Sequence, residues 1–195
     1  GYNSRIFKIV QVYRALEYFP QAYNWLGDYI NANVTINDIT VTNGKVLIKG
    51  SLDNRIVGYQ AISTGGGGIF SEGNLTLNNC VIKNNSVIDT ATTFVGPFVY
   101  YGSSVAGGGI HSTYYEYYNL DFARTPSRPK NMLSINNCII SGNTVSCLAN
   151  SKNNKSVGGG ISVCGASDFQ LINSEVSNNT TTSKGESDGG GLYLL

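Results

Sequence analysis

Charge, histidine and long apolar runs are scarce in this sequence of 195 residues, and each scarcity excludes a class of protein. Charged side chains make up 13% of the chain, and 13 basic against 12 acidic groups leave a formal net charge of +1. No field of one sign is therefore available to attract phosphate groups, which argues against nucleic acid as a partner. The single histidine excludes a metal site made of several histidines.

Long apolar runs are absent as well. The longest uncharged stretch, 90–115, is interrupted throughout by Gly, Ser and Thr, so no segment reaches the about 18 apolar residues of a transmembrane helix. The hydrophobic content of 41% is nevertheless too high for an intrinsically disordered chain. We therefore expect a single ordered domain with one core.

Glycine and asparagine are the residues in excess, with 24 and 23 copies. Many of the glycines form four triplets, each followed by an aliphatic residue: Gly66, Gly67 and Gly68; Gly107, Gly108 and Gly109; Gly158, Gly159 and Gly160; and Gly189, Gly190 and Gly191. The triplets lie 41, 51 and 31 residues apart, so the unit that they mark has insertions of different length.

A second motif of thirteen residues occurs four times. The copies are VTINDITVTNGKV from Val34, LTLNNCVIKNNSV from Leu75, LSINNCIISGNTV from Leu133 and FQLINSEVSNNTT from Phe169, and they align without a gap. Apolar and polar residues alternate on either side of a break, which indicates two short strands with one buried face. The break carries residue types that tolerate a left-handed bend, namely Asp38, Asn79, Asn137 and Asn173. We expect a second polar corner at Gly44, Asn85, Asn143 and Asn179.

A third strand after each Gly triplet completes one rung of a parallel β-helix, with about 4.8 Å between stacked residues. The repeat predicts an all-β solenoid of four to five rungs over residues 27–195. The residues between repeats that exceed the length of one rung are expected to form loops near 86–106, 111–130 and 146–157. Residues 1–26 fit no rung, and we expect them to cap the first one as an amphipathic helix, with an edge strand as the alternative.

The pairing of a Gly-Gly-X-aliphatic motif with an aliphatic-x-x-Asn motif resembles the polymorphic outer membrane protein repeats and, more broadly, the right-handed β-helix passenger domains of surface adhesins. The pairs are Gly66–Ile69 with Ile82–Asn85, Gly107–Ile110 with Ile140–Asn143, and Gly158–Ile161 with Val176–Asn179. The resemblance covers residues 27–195 and implies a secreted, surface-displayed β-helix used in adhesion or in building surface layers. It implies no catalytic residue.

A carbohydrate-active β-helix enzyme, either a polysaccharide lyase or a glycoside hydrolase, is the alternative. Such enzymes need paired carboxylates or clustered acidic calcium ligands. No two of the twelve acidic residues are adjacent, and only Glu186 and Asp188 lie close in sequence. His111 is expected at the edge of a loop. We expect no catalytic residue, cofactor or metal, unless acids from several rungs converge on one face.

The four cysteines allow two interpretations. Cys80 and Cys138 share an inward column on successive rungs, at a spacing that a disulfide permits, or they are two free buried thiols. Cys147 and Cys164 could pair as a loop staple in an oxidising compartment. Six Asn-x-Ser/Thr sequons would suggest a glycosylated surface protein if the source is eukaryotic, and they begin at Asn33, Asn74, Asn84, Asn154, Asn178 and Asn179.

Aromatic residues are concentrated in two of the predicted loops. The loop 86–106 contains Phe94, Phe98, Tyr100 and Tyr101, and the loop 111–130 contains Tyr114, Tyr115, Tyr117, Tyr118, Arg124 and Arg128. Tyrosine suits stacking on sugars or a protein interface, although such rings could also fold back onto the rungs. The sequence predicts a non-enzymatic extracellular or cell-surface protein that contacts a protein or carbohydrate ligand through these loops, or another copy of itself end to end.

Overall fold

Parallel strands dominate the structure, which is a computed structural model. It describes residues 6–9, 12–19, 24–48, 63–90, 104–113, 130–148, 155–164 and 168–195. These residues form 23 strands and no helix. All but two of the strands belong to five stacked parallel sheets, and the remaining two form an antiparallel pair.

The chain passes through the five sheets in a fixed order, and we call one such passage a rung. The first rung consists of β1 (Phe7–Ile9), the inserted pair β2 (Val12–Phe19) and β3 (Asn24–Ile30), then β4 (Asn33–Asn37), β5 (Thr40–Thr42), β6 (Lys45–Ile48) and β7 (Ser63–Gly65). The second consists of β8 (Ile69–Ser71), β9 (Asn74–Asn78), β10 (Val81–Lys83), β11 (Ser86–Asp89) and β12 (Ser104–Ala106).

The later rungs repeat this order. The third consists of β13 (Ile110–Thr113), β14 (Met132–Asn136), β15 (Ile139–Ser141), β16 (Thr144–Cys147) and β17 (Lys155–Val157). The fourth consists of β18 (Ile161–Cys164), β19 (Asp168–Ile172), β20 (Glu175–Ser177), β21 (Thr180–Ser183) and β22 (Glu186–Asp188), and β23 (Leu192–Leu194) begins a fifth.

Corresponding strands of successive rungs are neighbours in the same sheet. Sheet 1 has the order β1-β8-β13-β18-β23, sheet 2 β4-β9-β14-β19, sheet 3 β5-β10-β15-β20, sheet 4 β6-β11-β16-β21 and sheet 5 β7-β12-β17-β22. The registers follow the alignment of the repeats, since Leu75 pairs with Leu133 and Leu133 with Phe169. The stacking of parallel strands is therefore the β-helix-like arrangement that the repeat predicts.

Each of the first four rungs contributes one strand to each of the five sheets, whereas the sequence pattern predicts three strands per rung. The two additional strands lie in sheets 4 and 5, and in the second rung they are Ser86–Asp89 and Ser104–Ala106. An insertion separates them, and each is too short and too polar to show a clear alternation of apolar residues. The predicted loop bounds are correspondingly too wide, because strands occupy both ends of 86–106 and the first residues of 111–130.

Two corners of the rung accommodate the variation in its length. Two residues connect sheet 2 to sheet 3 and sheet 3 to sheet 4 in every rung, and a Gly triplet connects sheet 5 to sheet 1. The insertions between sheets 1 and 2 are 10–32, 114–131 and 165–167, and those between sheets 4 and 5 are 49–62, 90–103 and 148–154. Segments of any length can therefore leave the rung without disturbing the stacked strands.

The N-terminal segment contributes a strand to sheet 1. β1 pairs in parallel with β8, so that Phe7 lies next to Ile69 and Ile9 next to Ser71. β2 and β3 then form an antiparallel hairpin before β4 begins. Over the described residues, the N-terminal segment thus forms strands, which was the alternative to the expected helix. The β-branched Ile9 is suited to a strand. The parallel sheets begin inside the segment 1–26 that the sequence assigns to a cap.

Two cores are buried inside the rungs. The larger lies between sheets 1, 2 and 3 and contains columns such as Leu77 and Ile135, both fully buried. The smaller lies between sheets 4 and 5 and contains Val87 and Val145. Full burial of each such side chain contributes about 1.5–3 kcal/mol before chain entropy is subtracted. The rung narrows between the two cores, where the Gly triplets pass close to the start of the sheet 4 strands, and we call this place the waist.

Candidate functional site

The corner between sheets 2 and 3 contains the column that the sequence assigns to a bend. Its four residues are exposed and have φ between 48° and 58°: Asp38, Asn79, Asn137 and Asn173. This left-handed conformation is unfavourable for most side chains, and asparagine and aspartate tolerate it best after glycine. The column is thus explained by backbone geometry alone.

The corner between sheets 3 and 4 lies one residue before the predicted one. The left-handed residues are Asn43, Asn84, Gly142 and Asn178, with φ between 54° and 62°. The predicted corner residues that follow them point inward, and Asn85 and Asn143 are completely buried. One signal could have indicated this: the inward column has asparagine in three successive rungs, whereas the bend accepts either asparagine or glycine.

The buried asparagines form a ladder of hydrogen bonds at the waist. Oδ1 of Asn143 accepts from both the backbone N–H and Nδ2 of Asn85, at 3.0 Å each. Oδ1 of Asn179 accepts in the same way from Asn143, at 2.9 Å each. The Nδ2 groups of Asn85, Asn143 and Asn179 also donate to the carbonyl oxygens of Val41, Ile82 and Ile140. The ladder begins at Gly44, whose N–H donates to Oδ1 of Asn85.

Each of the three positions in a Gly triplet requires glycine for a different physical reason. The first has positive φ, which is 59° at Gly107. A Cβ on the second, Gly108, would lie 2.5 Å from the carbonyl oxygens of Gly159 and Thr144. A Cβ on the third, Gly109, would lie 2.8 Å from the carbonyl oxygen of Gly160 and 3.0 Å from Cγ of Asn143. The bend, the narrow waist and the close packing against the next triplet and the ladder therefore each require a glycine.

A second set of amides follows the outer face of sheet 2. Nδ2 of Asn136 donates to Oδ1 of Asn78, at 3.0 Å, and Nδ2 of Asn78 donates to Oδ1 of Asn37, at 2.8 Å. Two sequons lie on the same face, and Nδ2 of Asn74 donates to Oδ1 of Asn33 at 2.8 Å. These contacts stabilise neighbouring strands as cross-strand pairs do.

The sequons differ in accessibility. Asn33, Asn84 and Asn178 are exposed, Asn74 is half-buried, and Asn154 lies outside the described residues. Asn179 is half-buried and belongs to the ladder, where its Nδ2 donates to Ile140 at 2.8 Å. One of the two Nδ2 hydrogens of Asn179 is therefore engaged in the ladder, unlike a sequon on a fully exposed corner.

All four cysteines are free thiols in the structure. The backbone N–H of Cys80 donates to Sγ of Cys138 at 3.3 Å, and both side chains are buried in the larger core. Cys147 lies in β16 and not in a loop, and its thiol donates to the buried carboxylate of Asp89 at 3.8 Å. Cys164 lies in β18, 3.3 Å from Oγ of Ser162. Burial raises the pKa of the Cys138 and Cys164 thiols.

A thiol titration separates the two interpretations of the cysteines. We expect a chain purified without reductant to react slowly with Ellman's reagent at neutral pH, because burial limits both access and thiolate formation. In denaturant, all four thiols should react. A fully reduced, denatured sample is the control, and a lower count in the unreduced sample would mean that a disulfide had formed.

Lys155 in the third rung forms ion pairs with two carboxylates of the fourth rung. Nζ of Lys155 lies 2.9 Å from Asp188 and 3.4 Å from Glu186, and 5.5 Å from the ring centroid of Tyr193. The hydrogen bond with Asp188 raises the pKa of Lys155. Both carboxylates are well exposed, so this pair resembles a surface ion pair more than a catalytic dyad. Across the part of the chain that the structure describes, no three His, Cys, Asp or Glu side chains form a group that could bind a metal ion.

His111 is buried in a strand, not placed at a loop edge. It lies in β13 between Phe70 and Ser162 on the outer side of sheet 1, with no exposed surface. Its ring centroid is 5.7 Å from that of Phe70, and Gly65 of sheet 5 packs against the imidazole. A side chain enclosed in this way packs two sheets together.

The aromatic and basic loop residues of the predicted contact surface lie outside the described residues. They are Phe94, Phe98, Tyr100, Tyr101, Tyr114, Tyr115, Tyr117, Tyr118, Arg124 and Arg128. The strand ends that flank them are described: one loop leaves after Asp89 at the corner of sheets 4 and 5, and the other after Thr113 at the corner of sheets 1 and 2. The two loops therefore leave the rungs on opposite sides of the waist.

Comparisons with protein-family models, with curated proteins and with solved structures gave no match for this chain. Within the described ranges, no helix has the length and apolar character needed to cross a membrane.

Proposed function

We propose that this chain is an extracellular or cell-surface structural protein. In this proposal it is a right-handed parallel β-helix of the kind found in polymorphic outer membrane protein repeats and in the passenger domains of surface adhesins. It acts without catalysis, as an adhesin or as a subunit of a surface layer or filament. The observation that supports the proposal is that the strands repeat from rung to rung, while the insertions of variable length lie at two corners of the rung.

The polar chemistry of the described rungs supports a scaffold role. The buried amides bond to one another through the waist, and the amides on sheet 2 bond across strands. The cationic Lys155 is held by two carboxylates. These polar side chains are engaged in contacts within the rungs, and in this proposal recognition falls to the inserted segments.

The composition of two insertions supports recognition of a protein or carbohydrate ligand. Segment 91–103 carries four of the predicted contact aromatics, and segment 114–129 carries four tyrosines together with Arg124 and Arg128. Tyrosine combines an apolar ring with a polar hydroxyl, which suits a sugar face or a protein surface. A rigid stack of parallel strands would hold such loops in fixed positions.

Replacement of the two aromatic insertions tests this proposal. We expect a variant with Gly/Ser linkers of equal length in place of 91–103 and 114–129 to keep its circular dichroism spectrum and its thermal transition. Its binding to a printed array of oligosaccharides and to immobilised cell-surface protein should weaken by about tenfold or more. The matched control replaces 49–62, which leaves from the same corner as 91–103 but contains one aromatic residue.

Two results would contradict the proposed function. One is unchanged binding after both aromatic insertions have been replaced. The other is release of oligosaccharides from a polysaccharide by the wild-type chain, which would favour the carbohydrate-active enzyme.

A further inference from the structure

The outer face of sheet 2 carries no charge over its first three rungs. Nine side chains point outward there, in three columns that alternate with the buried columns of the larger core: Asn33, Asn74 and Met132; Thr35, Thr76 and Ser134; and Asn37, Asn78 and Asn136. We call this surface the amide face. Eight of its nine residues are polar, and all but Ser134 retain exposed surface. The amide face is therefore a surface of uncharged hydrogen-bonding groups.

The absence of charge on the amide face differs from the neighbouring surface. The outer face of sheet 3 includes Lys83 and Glu175. A soluble surface usually has charged residues at about 25–35% of its positions, so nine positions would ordinarily include about two or three of them. In the fourth rung the same columns continue with Asp168, Gln170 and Ile172, and this charge and this apolar side chain bound the amide face.

The amides of this face are held in place by one another. Oδ1 of Asn78 accepts from Asn136, while its Nδ2 donates to Asn37. Oδ1 of Asn74 accepts from the backbone N–H of Met132 at 2.8 Å. Amides oriented in this way have already lost rotational freedom on folding, so a ligand that binds them orders fewer side chains.

Each amide uses only part of its hydrogen-bonding capacity within the protein. A carboxamide has two N–H donors and an oxygen with two lone pairs. Nδ2 of Asn37 and Oδ1 of Asn136 bond to none of the described residues, and neither do the hydroxyls of Thr35 and Thr76. Donors and acceptors thus remain for a partner outside the rungs, about 4.8 Å apart from rung to rung and about 6.6 Å apart along a strand.

Glycosylation and strand pairing do not account for this pattern. Asn33 and Asn74 begin sequons, but none of Asn37, Asn78 and Asn136 is followed two positions later by Ser or Thr. Cross-strand pairing is also met by threonines or by opposite charges. A column of three exposed or half-buried asparagines is one choice among several for stability, and it is the choice that keeps the surface neutral.

We propose that the amide face binds a neutral polysaccharide. Sugar hydroxyls both donate and accept hydrogen bonds, as do the amides and the threonine hydroxyls, so the groups on the two sides can pair with one another. This inference deepens the proposed function and rests on its recognition of a carbohydrate. It adds a contact on the rungs to those of the inserted segments.

The chemistry of the amide face argues against other classes of partner. Nucleic acids and anionic lipids are attracted by lysine and arginine, of which the nine positions have none. The core of a protein interface is enriched in aromatic residues, methionine and arginine, and among the nine positions only Met132 is of this kind. A neutral ligand that is rich in hydroxyls requires neither feature.

One of the aromatic insertions returns to the rung at the edge of the amide face. Segment 114–129 contains four tyrosines and is followed by Lys130, whose carbonyl oxygen accepts from Nδ2 of Asn31 at 2.9 Å. The N–H of Met132 then donates to Asn74. Tyrosine suits stacking on a sugar ring, and amides suit its hydroxyls. These two chemistries belong to adjacent stretches of the chain.

Electrophoresis in native gels that contain a dissolved polysaccharide tests the proposal. The full 195-residue chain is produced in a bacterial host without N-glycosylation, so that no glycan covers Asn33 or Asn74. The neutral polymers are a β-glucan, a galactomannan and an arabinoxylan, and alginate is the acidic comparison. We expect at least one neutral polymer to retard the chain and alginate to leave its mobility unchanged.

Thr35→Val combined with Thr76→Val removes two outward hydroxyls and keeps the shape of both side chains. The variant should need about tenfold more polysaccharide for the same retardation. Its circular dichroism spectrum should not change, because valine suits a strand and neither hydroxyl bonds to a described residue. Thr180→Val combined with Thr182→Val, on the outer face of sheet 4, is the matched control and should bind like the wild type.

Asn37→Asp tests the neutrality of the face. The new carboxylate can still accept from Nδ2 of Asn78, but it replaces the remaining donor by a charged oxygen. We expect this variant to need at least about threefold more polysaccharide. Asn43→Asp adds the same charge at an exposed left-handed corner of the same rung, where aspartate is tolerated, and should leave the retardation unchanged.

Three results would overturn the proposal: no retardation by any neutral polymer, equal retardation by alginate, or a double valine variant that binds like the wild type. The variant in which both aromatic insertions are replaced keeps the amide face and so separates the two proposals. If it alone loses retardation, the proposed function stands and the amide face is rejected. If the double valine variant alone loses retardation, the amide face stands and the loops are rejected as the contact surface.

Discussion

Replacement of Asn143 by alanine should lower the free energy of unfolding by about 3–5 kcal/mol. The change removes the acceptor for the backbone N–H and Nδ2 of Asn85 and the donor to the carbonyl oxygen of Ile82. These groups lie in a completely buried part of the waist. Each buried polar group left without a partner costs about 1–3 kcal/mol, so the loss of several such contacts accounts for an effect of this size.

Urea unfolding followed by circular dichroism measures the effect, with Asn137→Gly as the matched control. Asn137 has the same side chain in the same rung, but it is exposed and has a φ of 53°, which glycine adopts without strain. We expect the control to change the free energy of unfolding by less than about 1 kcal/mol. Equal losses for the two variants would mean that the buried amides do not support the fold.

Gly108→Ala should destabilise the fold at least as much, by about 3–5 kcal/mol or to the point where no cooperative transition remains. The new Cβ would lie 2.5 Å from two carbonyl oxygens and 2.7 Å from the backbone nitrogen of Thr144. All three atoms belong to the backbone, so the contacts cannot be relieved by a rotamer change. The strands of two sheets would have to separate at the waist.

Gly190→Ala is the control, since it makes the same substitution at the same place in the last triplet. There the new Cβ meets only the carbonyl oxygen of Asn179, at 3.2 Å. We expect its free energy of unfolding to stay within about 1 kcal/mol of that of the wild type. A loss at Gly190 as large as that at Gly108 would contradict the steric explanation of the triplets.

The stacking of the strands could be predicted because it places residues of the same character, apolar or polar, in columns. Leu75, Leu133 and Phe169 share a register, and the repeats that contain them align without gaps. The number of strands per rung could not be predicted in the same way. The sheet 5 strands have three residues each and follow insertions of unequal length, so neither periodicity nor spacing marks them.

The burial of the Asn85 and Asn143 side chains could not be predicted from the sequence, for a different physical reason. Asparagine is favoured both at left-handed bends and in buried ladders, so its presence near a corner does not say which role it has. Because the bend lies one residue earlier than predicted, the asparagine that follows it points into the core and not into solvent. His111 was missed similarly, because its burial depends on sheet 5 packing against the outer face of sheet 1, which no local pattern records.

Hydrogen exchange of asparagine side-chain amides, measured by NMR on the labelled protein, tests the stacked rungs with their internal ladder most directly. The Nδ2 protons of Asn85 and Asn143 should exchange only when the whole fold opens, because they are buried and hydrogen-bonded to neighbouring rungs. Those of the exposed Asn137 should exchange rapidly. Similar rapid exchange for Asn143 and Asn137 would contradict the ladder, and with it the arrangement of stacked rungs on which the proposed scaffold depends.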